Sequence, residues 1–310
     1  MNGTYRRLIL LLAAWAWAAT APELAGKSSE VTKPVISEEA APVHVLRATA
    51  GDGHETEVAF RSPPGKGPFP AVIHFHGGWA SHRLSALEKK LVEGENDSRF
   101  LAAGYVTVAA TRRGSDPHPY TTSIVEDGVA VIEVVKKLPD VDRESVVLLG
   151  NSGGGALALV LAGKVPVRAV AMEEPATGLL VGLVPSDREE WLKNKAERNA
   201  VQEKNIAPEG WAQLRETIDK IPCPVFIGHG QVSPGCAFNE KVLIPELKRA
   251  GKSVVVVNYP GQPHGFSLGG GTPNSVLKFF EDVNAFFVKV LPTPPTKVSN
   301  IFVRNVPVGR

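Results

Sequence analysis

Short apolar runs of strand length alternate with stretches whose apolar residues recur at helical spacing along most of this chain. The runs Val43–Ala48 and Glu55–Phe60 flank Gly51-Asp52-Gly53, and together they predict an antiparallel hairpin at the edge of a larger sheet. Pro70–Phe75, Tyr105–Ala110, Val146–Leu149, Val167–Met172, Pro224–Gly230 and Ser253–Val257 read as buried strands, being short, apolar and bounded by Gly, Pro or polar residues. Leu84–Val92, Phe100–Ala103, Ile124–Leu138, Asn239–Ala250 and Ser275–Val290 keep their apolar residues on one helical face. Strand and helix taking turns in this way predict an α/β fold with a mostly parallel central sheet flanked by helices.

The ends and one internal stretch break the alternation. Residues 1–21 hold Arg6-Arg7, then Leu8–Trp17 almost wholly apolar, then small residues to Ala21, the pattern of a secretory signal peptide cut after Ala18 or Ala21. The expected destination is outside the cytoplasm, periplasmic or secreted, with an uncleaved signal anchor as the alternative. Residues 22–42 are rich in Lys, Ser, Glu, Pro and Ala without an apolar period and predict a flexible spacer ahead of one domain over 43–290. Within that domain, 179–221 reads as a mostly helical insertion, placed to cap a site or to cover the sheet edge. Residues 291–310 form a Pro-rich tail with no readable role.

With 310 residues, 43% of them hydrophobic, the chain has ample material for one large core. Outside residues 1–21 the basic and acidic side chains are equal in number, so nothing calls for nucleic acid or an anionic membrane as partner. The two cysteines, Cys223 and Cys236, are expected to be free thiols, because the strand run between them carries the chain away from Cys223 at about 3.3 Å per residue. The histidines are scattered and no cysteine pair has ligand spacing, so neither a metal nor a cofactor is expected.

Candidate chemistry gathers at strand ends. Val146–Leu149 runs into Gly150-Asn151-Ser152-Gly153-Gly154 and on into a helix of small and apolar residues, a strand, elbow and helix that make Ser152 the candidate nucleophile. Glycines two residues before and after allow the flanking segments to approach each other, and the helix N-terminus suits a developing negative charge. Pro70–Phe75 ends in His76-Gly77-Gly78-Trp79, whose amides near Gly78 and Trp79 are expected to join that of Gly153 as an oxyanion hole. His76 reads as a brace for this loop. A neutral serine needs a base titrating near pH 7, and His264, in the loop Pro263-His264-Gly265-Phe266 after a buried strand, fits that placement, with His229 the competitor. In the loop Thr111–Tyr120, Arg113, His118 and Tyr120 are ligand-facing residue types, or members of a solvated loop with a structural arginine.

These motifs, in this order over about Val43 to Val290, resemble the α/β-hydrolase fold, in its dienelactone hydrolase and prolyl-oligopeptidase-like branch. The resemblance implies a serine esterase: Ser152 attacks the acyl carbon of a small-molecule ester, His264 takes its proton, and water hydrolyses the acyl-enzyme. One position departs from the family. Where an aspartate is usual, His229-Gly230-Gln231-Val232 is followed by Ser233, which cannot hold an imidazolium by charge. The strand after the elbow ends in Glu173-Glu174-Pro175-Ala176, similar to the arrangement of pancreatic-type lipases and fungal glucuronoyl esterases, so Glu174 is the expected acid, with Glu173 and Glu240 as alternatives. A peptidase is a second reading, set back because there is no room here for an N-terminal propeller. A third is a non-catalytic relative that binds a ligand.

Overall fold

A computed structural model describes residues 41–78, 84–113, 122–183, 203–268 and 270–297. The expected signal segment, nearly all of the spacer, Trp79, His118, Tyr120, residues 184–202 of the insertion and the end of the tail lie outside the described residues.

The hairpin forms as expected: β1 (His44–Thr49) pairs antiparallel with β2 (Glu55–Arg61) across a turn closed by Gly53 N–H to the Ala50 carbonyl at 2.9 Å. It leads into β3 (Phe69–Phe75), β4 (Val106–Ala110), β5 (Val141–Asn151), β6 (Val170–Glu173), β7 (Val225–Gly230) and β8 (Val254–Tyr259). The strand order is β1-β2-β4-β3-β5-β6-β7-β8, with β2 antiparallel to β4 and every later pairing parallel. All parallel strands therefore end at one edge, the position where open α/β sheets carry their sites.

Successive side chains of a strand point to opposite faces, and here both faces are buried, which is why these strands read as continuous apolar runs. Val146 and Leu148 join Ile73, Met172 and Ile227 in one core, packed by the helices α3 (Thr122–Val135) and α4 (Gly153–Ala162). Val147 and Leu149 join Val72, Ala171 and Phe226 in the other, covered by α2 (Glu95–Ala103) and by Phe279, Val283, Phe286 and Phe287 of the helix Pro273–Val290. The helix α1 (Leu84–Glu93) sets Leu87 and Leu91 against Ala59 and Ala109 nearer the hairpin.

Two expectations need correction. β5 starts at Val141, not near Val146, because the partly or fully exposed Asp142, Arg143 and Glu144 break the apolar run while the backbone is already extended. The stretch Asn239–Ala250 is not one helix but parts of two, Pro234–Lys241 and Leu243–Arg249; a proline at 245 has no N–H to continue the ladder, and its ring meets the carbonyl four residues back. The described half of the 179–221 insertion contributes the helix Pro208–Asp219, whose Leu214 and Ile218 are buried in the same core as α4, so this half is a flanking layer of the sheet. Cys223 and Cys236 are free and buried, and burial pushes both thiols up to about 11. No helix among the described residues is long and apolar enough to cross a membrane.

Candidate active site

β5 delivers Ser152 at φ 51° and ψ −120°, and α4 begins at the next residue. A positive φ in a residue with a Cβ is costly, and it persists only where the surroundings enforce it. Two backbone bonds do so: Ser152 N–H donates to the Glu173 carbonyl at 2.9 Å, and Ala176 N–H donates to the Ser152 carbonyl at 3.0 Å. The elbow on β5 is thus tied directly to the turn at the end of β6. Ser152 itself is partly exposed while Asn151 and Gly153 on either side are buried.

The flanking glycines are there for contact. A Cβ on Gly154 would lie 2.1 Å from the Phe75 carbonyl oxygen, and one on Gly150 would lie 2.4 Å from the Gly154 carbonyl oxygen. Both obstacles are backbone and cannot rotate away. Gly154→Ala is therefore expected to destabilise the fold by about 3 kcal/mol, read as a lower midpoint in urea with an unchanged slope.

The loop after β3 lies across the elbow. Gly77 N–H donates to Asn151 Oδ1 at 3.2 Å, and Gly78 adopts φ +84° with its backbone close to Gly153: a Cβ on Gly153 would sit 3.4 Å from the Gly78 oxygen and 3.9 Å from its nitrogen. The backbones of Gly78 and Gly153 thus lie side by side; Trp79 is outside the described residues. Buried Arg112 braces the loop, its guanidinium donating to the Gly78 carbonyl at 2.7 Å and the His76 carbonyl at 3.4 Å. His76 is buried, with Nδ1 at 2.9 Å from the Gly77 carbonyl, a bracing position. The neighbouring Arg113 turns the other way, to Asp127 and Asp52, which ties this loop to the β1–β2 turn and makes it structural. Arg112 carries a weak signal in the sequence, being one of two adjacent arginines directly after a buried strand, where alternation sends neighbours to opposite sides.

Glu174 follows β6 at φ 46°, and Ser152 and Glu174 are the two non-glycine residues at positive φ among the described residues. Its side chain is fully buried, with Oε1 accepting Gly230 N–H at 2.6 Å and Oε2 paired with His264 Nδ1. That hydrogen bond raises the His264 pKa above its usual 6.5 against the opposing effect of desolvation. With Nδ1 engaged, Nε2 is the nitrogen left to exchange a proton. The loop carrying His264 rests on β7: a Cβ at Gly230 would lie 2.3 Å from the Pro263 carbonyl oxygen.

The other residues singled out from sequence have different partners. Glu173, also buried, accepts from Ser267 N–H at 3.1 Å and from the Ser267 hydroxyl, and burial holds its carboxyl above the ordinary range. Glu240 accepts from Asn258 Nδ2 at 2.9 Å. His229 is wholly buried between Asn258 Oδ1 at 3.3 Å and Asn239 Nδ2 at 3.2 Å, and burial lowers its pKa, so it is a neutral core histidine. Ser233 caps the helix Pro234–Lys241, its hydroxyl accepting Gly235 N–H at 3.2 Å, a capping role that serine fills as well as aspartate. No group of three or more His, Cys, Asp or Glu among the described residues is arranged to hold a metal ion.

A partly exposed serine on a strained elbow, a glycine loop lying close against it, and an imidazole backed by a buried carboxylate are parts suited to acyl transfer. The family model described as the prolyl oligopeptidase family, Peptidase S9, matches residues 95–293. A 2,6-dihydropseudooxynicotine hydrolase of Paenarthrobacter nicotinovorans is 27% identical over 185 residues, 58% of this chain and 48% of the relative, so the chain spans about half the length of the curated relative it matches. Among solved structures, a bacterial heroin esterase superposes with a TM-score of 0.62 at 21% identity, covering 83% of this chain and 87% of that one. A Pyrobaculum calidifontis esterase does so with a TM-score of 0.59 at 19% identity, covering 84% and 88%. Both share the α/β-hydrolase fold described above.

Proposed function

The chain belongs to the prolyl oligopeptidase family and has the α/β-hydrolase fold, and from that premise we propose that it is a serine hydrolase that cleaves carboxylic esters of small molecules through an acyl-enzyme formed on Ser152. The observation that carries this reading is the pair of strained residues on adjacent strand ends, Ser152 and Glu174, with His264 held by the second of them. In the proposed cycle His264 Nε2 removes the Ser152 proton as Oγ attacks the carbonyl carbon, and the amides of Gly153 and Gly78, with that of Trp79, receive the oxyanion. The imidazolium so formed is stabilised by Glu174 and returns its proton to the leaving alkoxide. A water molecule, deprotonated by the same imidazole, then attacks the acyl carbon; the Oγ–acyl bond breaks, the imidazolium returns its proton to Ser152 Oγ, and the acid leaves. Export is part of the proposal, supported by Arg6-Arg7 and the apolar run that follows.

The choice of ester over amide is supported by the esterases of like fold, while the family match favours a peptidase as the second reading. A direct test treats the pure protein with a fluorophosphonate probe and then offers p-nitrophenyl esters of rising acyl length, aryl esters, sugar esters and a prolyl p-nitroanilide. Labelling of Ser152 with faster turnover of an ester is the expected result. Faster turnover of the anilide would establish the peptidase, and absence of both label and turnover would leave a ligand-binding protein.

A further inference from the structure

The imidazole of His264 is half exposed, and the loop that carries it has glycines at positive φ on both sides, Gly261 at 70° and Gly265 at 73°. Packing around the ring does not hold it, and glycine hinges give its backbone freedom that other residues lack. Something else must keep Nδ1 on Glu174 and so fix the direction of the opposite nitrogen.

The loop has anchors on each side of the ring. On the N-terminal side, the Gln262 carbonyl accepts Val232 N–H at 3.1 Å and its Oε1 accepts Thr272 N–H at 3.0 Å. On the C-terminal side, Phe266 is fully buried against Tyr259 and Phe279. The next residue, Ser267, is pinned at three atoms: N–H and hydroxyl both donate to the Glu173 carboxylate, and its carbonyl accepts Asn96 Nδ2 from α2 at 3.0 Å. Glu173 meets a single residue with both of its oxygens, one donor on each.

Burying this carboxyl is costly, the more so beside the carboxylate of Glu174. An apolar residue at the end of β6 would extend the core at no such cost, as Met172 does one position earlier. Resting on the reading of Ser152 and His264 given above, we propose that Glu173 is a positioning residue for the reaction: through Ser267 it fixes the backbone from which His264 hangs, while Glu174 fixes the ring. Two consecutive residues at one strand end thereby set both the place and the orientation of the base. The elbow is tied to the same point, since Ser152 N–H donates to the Glu173 carbonyl, so nucleophile and base are referred to one residue.

The test compares Ser267→Ala, Glu173→Gln and the double variant on the best p-nitrophenyl ester, with rates expressed per fluorophosphonate-reactive site so that loss of folded protein is removed from the comparison. Ser267→Ala is expected to lower kcat about tenfold, the rate equivalent of one hydrogen bond to a charged group, with KM unchanged, since substrate binding does not depend on the base. Glu173→Gln should lower kcat in the same way, and the double variant should be no slower than the slower single variant, because the two residues act as one unit. Unchanged kcat per reactive site in Ser267→Ala overturns the proposal, as do losses that multiply in the double variant. If Glu173→Gln does not fold, Ser267→Ala decides alone. Loss of about 10⁴-fold in Glu173→Gln with little loss in Glu174→Gln would make Glu173 the acid itself and also overturn it. Failure of the wild-type protein to label or turn over any ester is a distinct outcome, and it removes the reading on which this one stands.

Discussion

Ser152→Ala is expected to lower kcat for p-nitrophenyl esters by about 10⁶-fold, the scale on which acyl transfer depends on its nucleophile, and to abolish fluorophosphonate labelling. Its melting temperature should stay within about 2 °C of the wild type, a difference below roughly 1 kcal/mol for a domain of this size. The reason lies in the backbone. Alanine keeps the Cβ, and the strain at φ 51° comes from the Cβ and not from the hydroxyl. The bonds of Ser152 N–H and carbonyl to the β6 turn are also untouched. Ser152→Gly separates strain from chemistry: it should be as inactive but more stable than Ser152→Ala by about 1 kcal/mol, because glycine reaches this φ without the steric cost. Thermal melts of the two variants, set beside their residual rates, check both statements.

The second large effect belongs to the acid. Glu174→Gln is expected to lower kcat about 10⁴-fold, the loss that follows when the group behind the imidazole can no longer fix its tautomer or balance its charge. The pH profile gives a second reading. Glu174 raises the His264 pKa, and His264 must be neutral to take the serine proton, so the wild-type kcat/KM should fall as pH drops through a value above 6.5. In Glu174→Gln the hydrogen bond to a carboxylate is gone and desolvation, which opposes the imidazolium, is left in charge, so the acid limb should move to lower pH. Glu240→Gln supplies the contrast: its carboxylate meets Asn258, and both its rate and its pH limb should match the wild type. Full activity in Glu174→Gln together with loss in Glu240→Gln would move the acid to the other strand end.

How far the chain could be read without coordinates follows from the range of the forces involved. The alternation of apolar residues along β3, β5 and β7 is local, and it announced a sheet buried on both faces. The elbow glycines were legible because any approach of α4 to β5 and β3 demands them at that spacing, whatever the rest of the fold does. The start of β5 was not, since Asp142, Arg143 and Glu144 reach solvent from an extended backbone and carry no apolar signal. Nor was the break at 242, where a proline three residues on outweighs the amphipathic pattern across it.

The division of labour between Glu173 and Glu174 shows the limit most clearly. Both are acids before a proline, and pattern alone placed them at one strand end without deciding which way each would turn. The positive φ of Glu174 takes it out of the strand's alternation, aiming one carboxylate at His264 and leaving the other for Ser267. In the same way, adjacent Arg112 and Arg113 separate into a brace for the Gly78 loop and an ion pair on the hairpin. Residue order was enough to specify the α/β layering, the strained serine and the glycines around it, because those depend on neighbours a few positions away. Which buried carboxylate meets the imidazole, and what holds the histidine loop in place, depend on contacts between residues about 90 positions apart along the chain, and these exist only once the sheet has brought the ends of β5, β6 and β7 side by side.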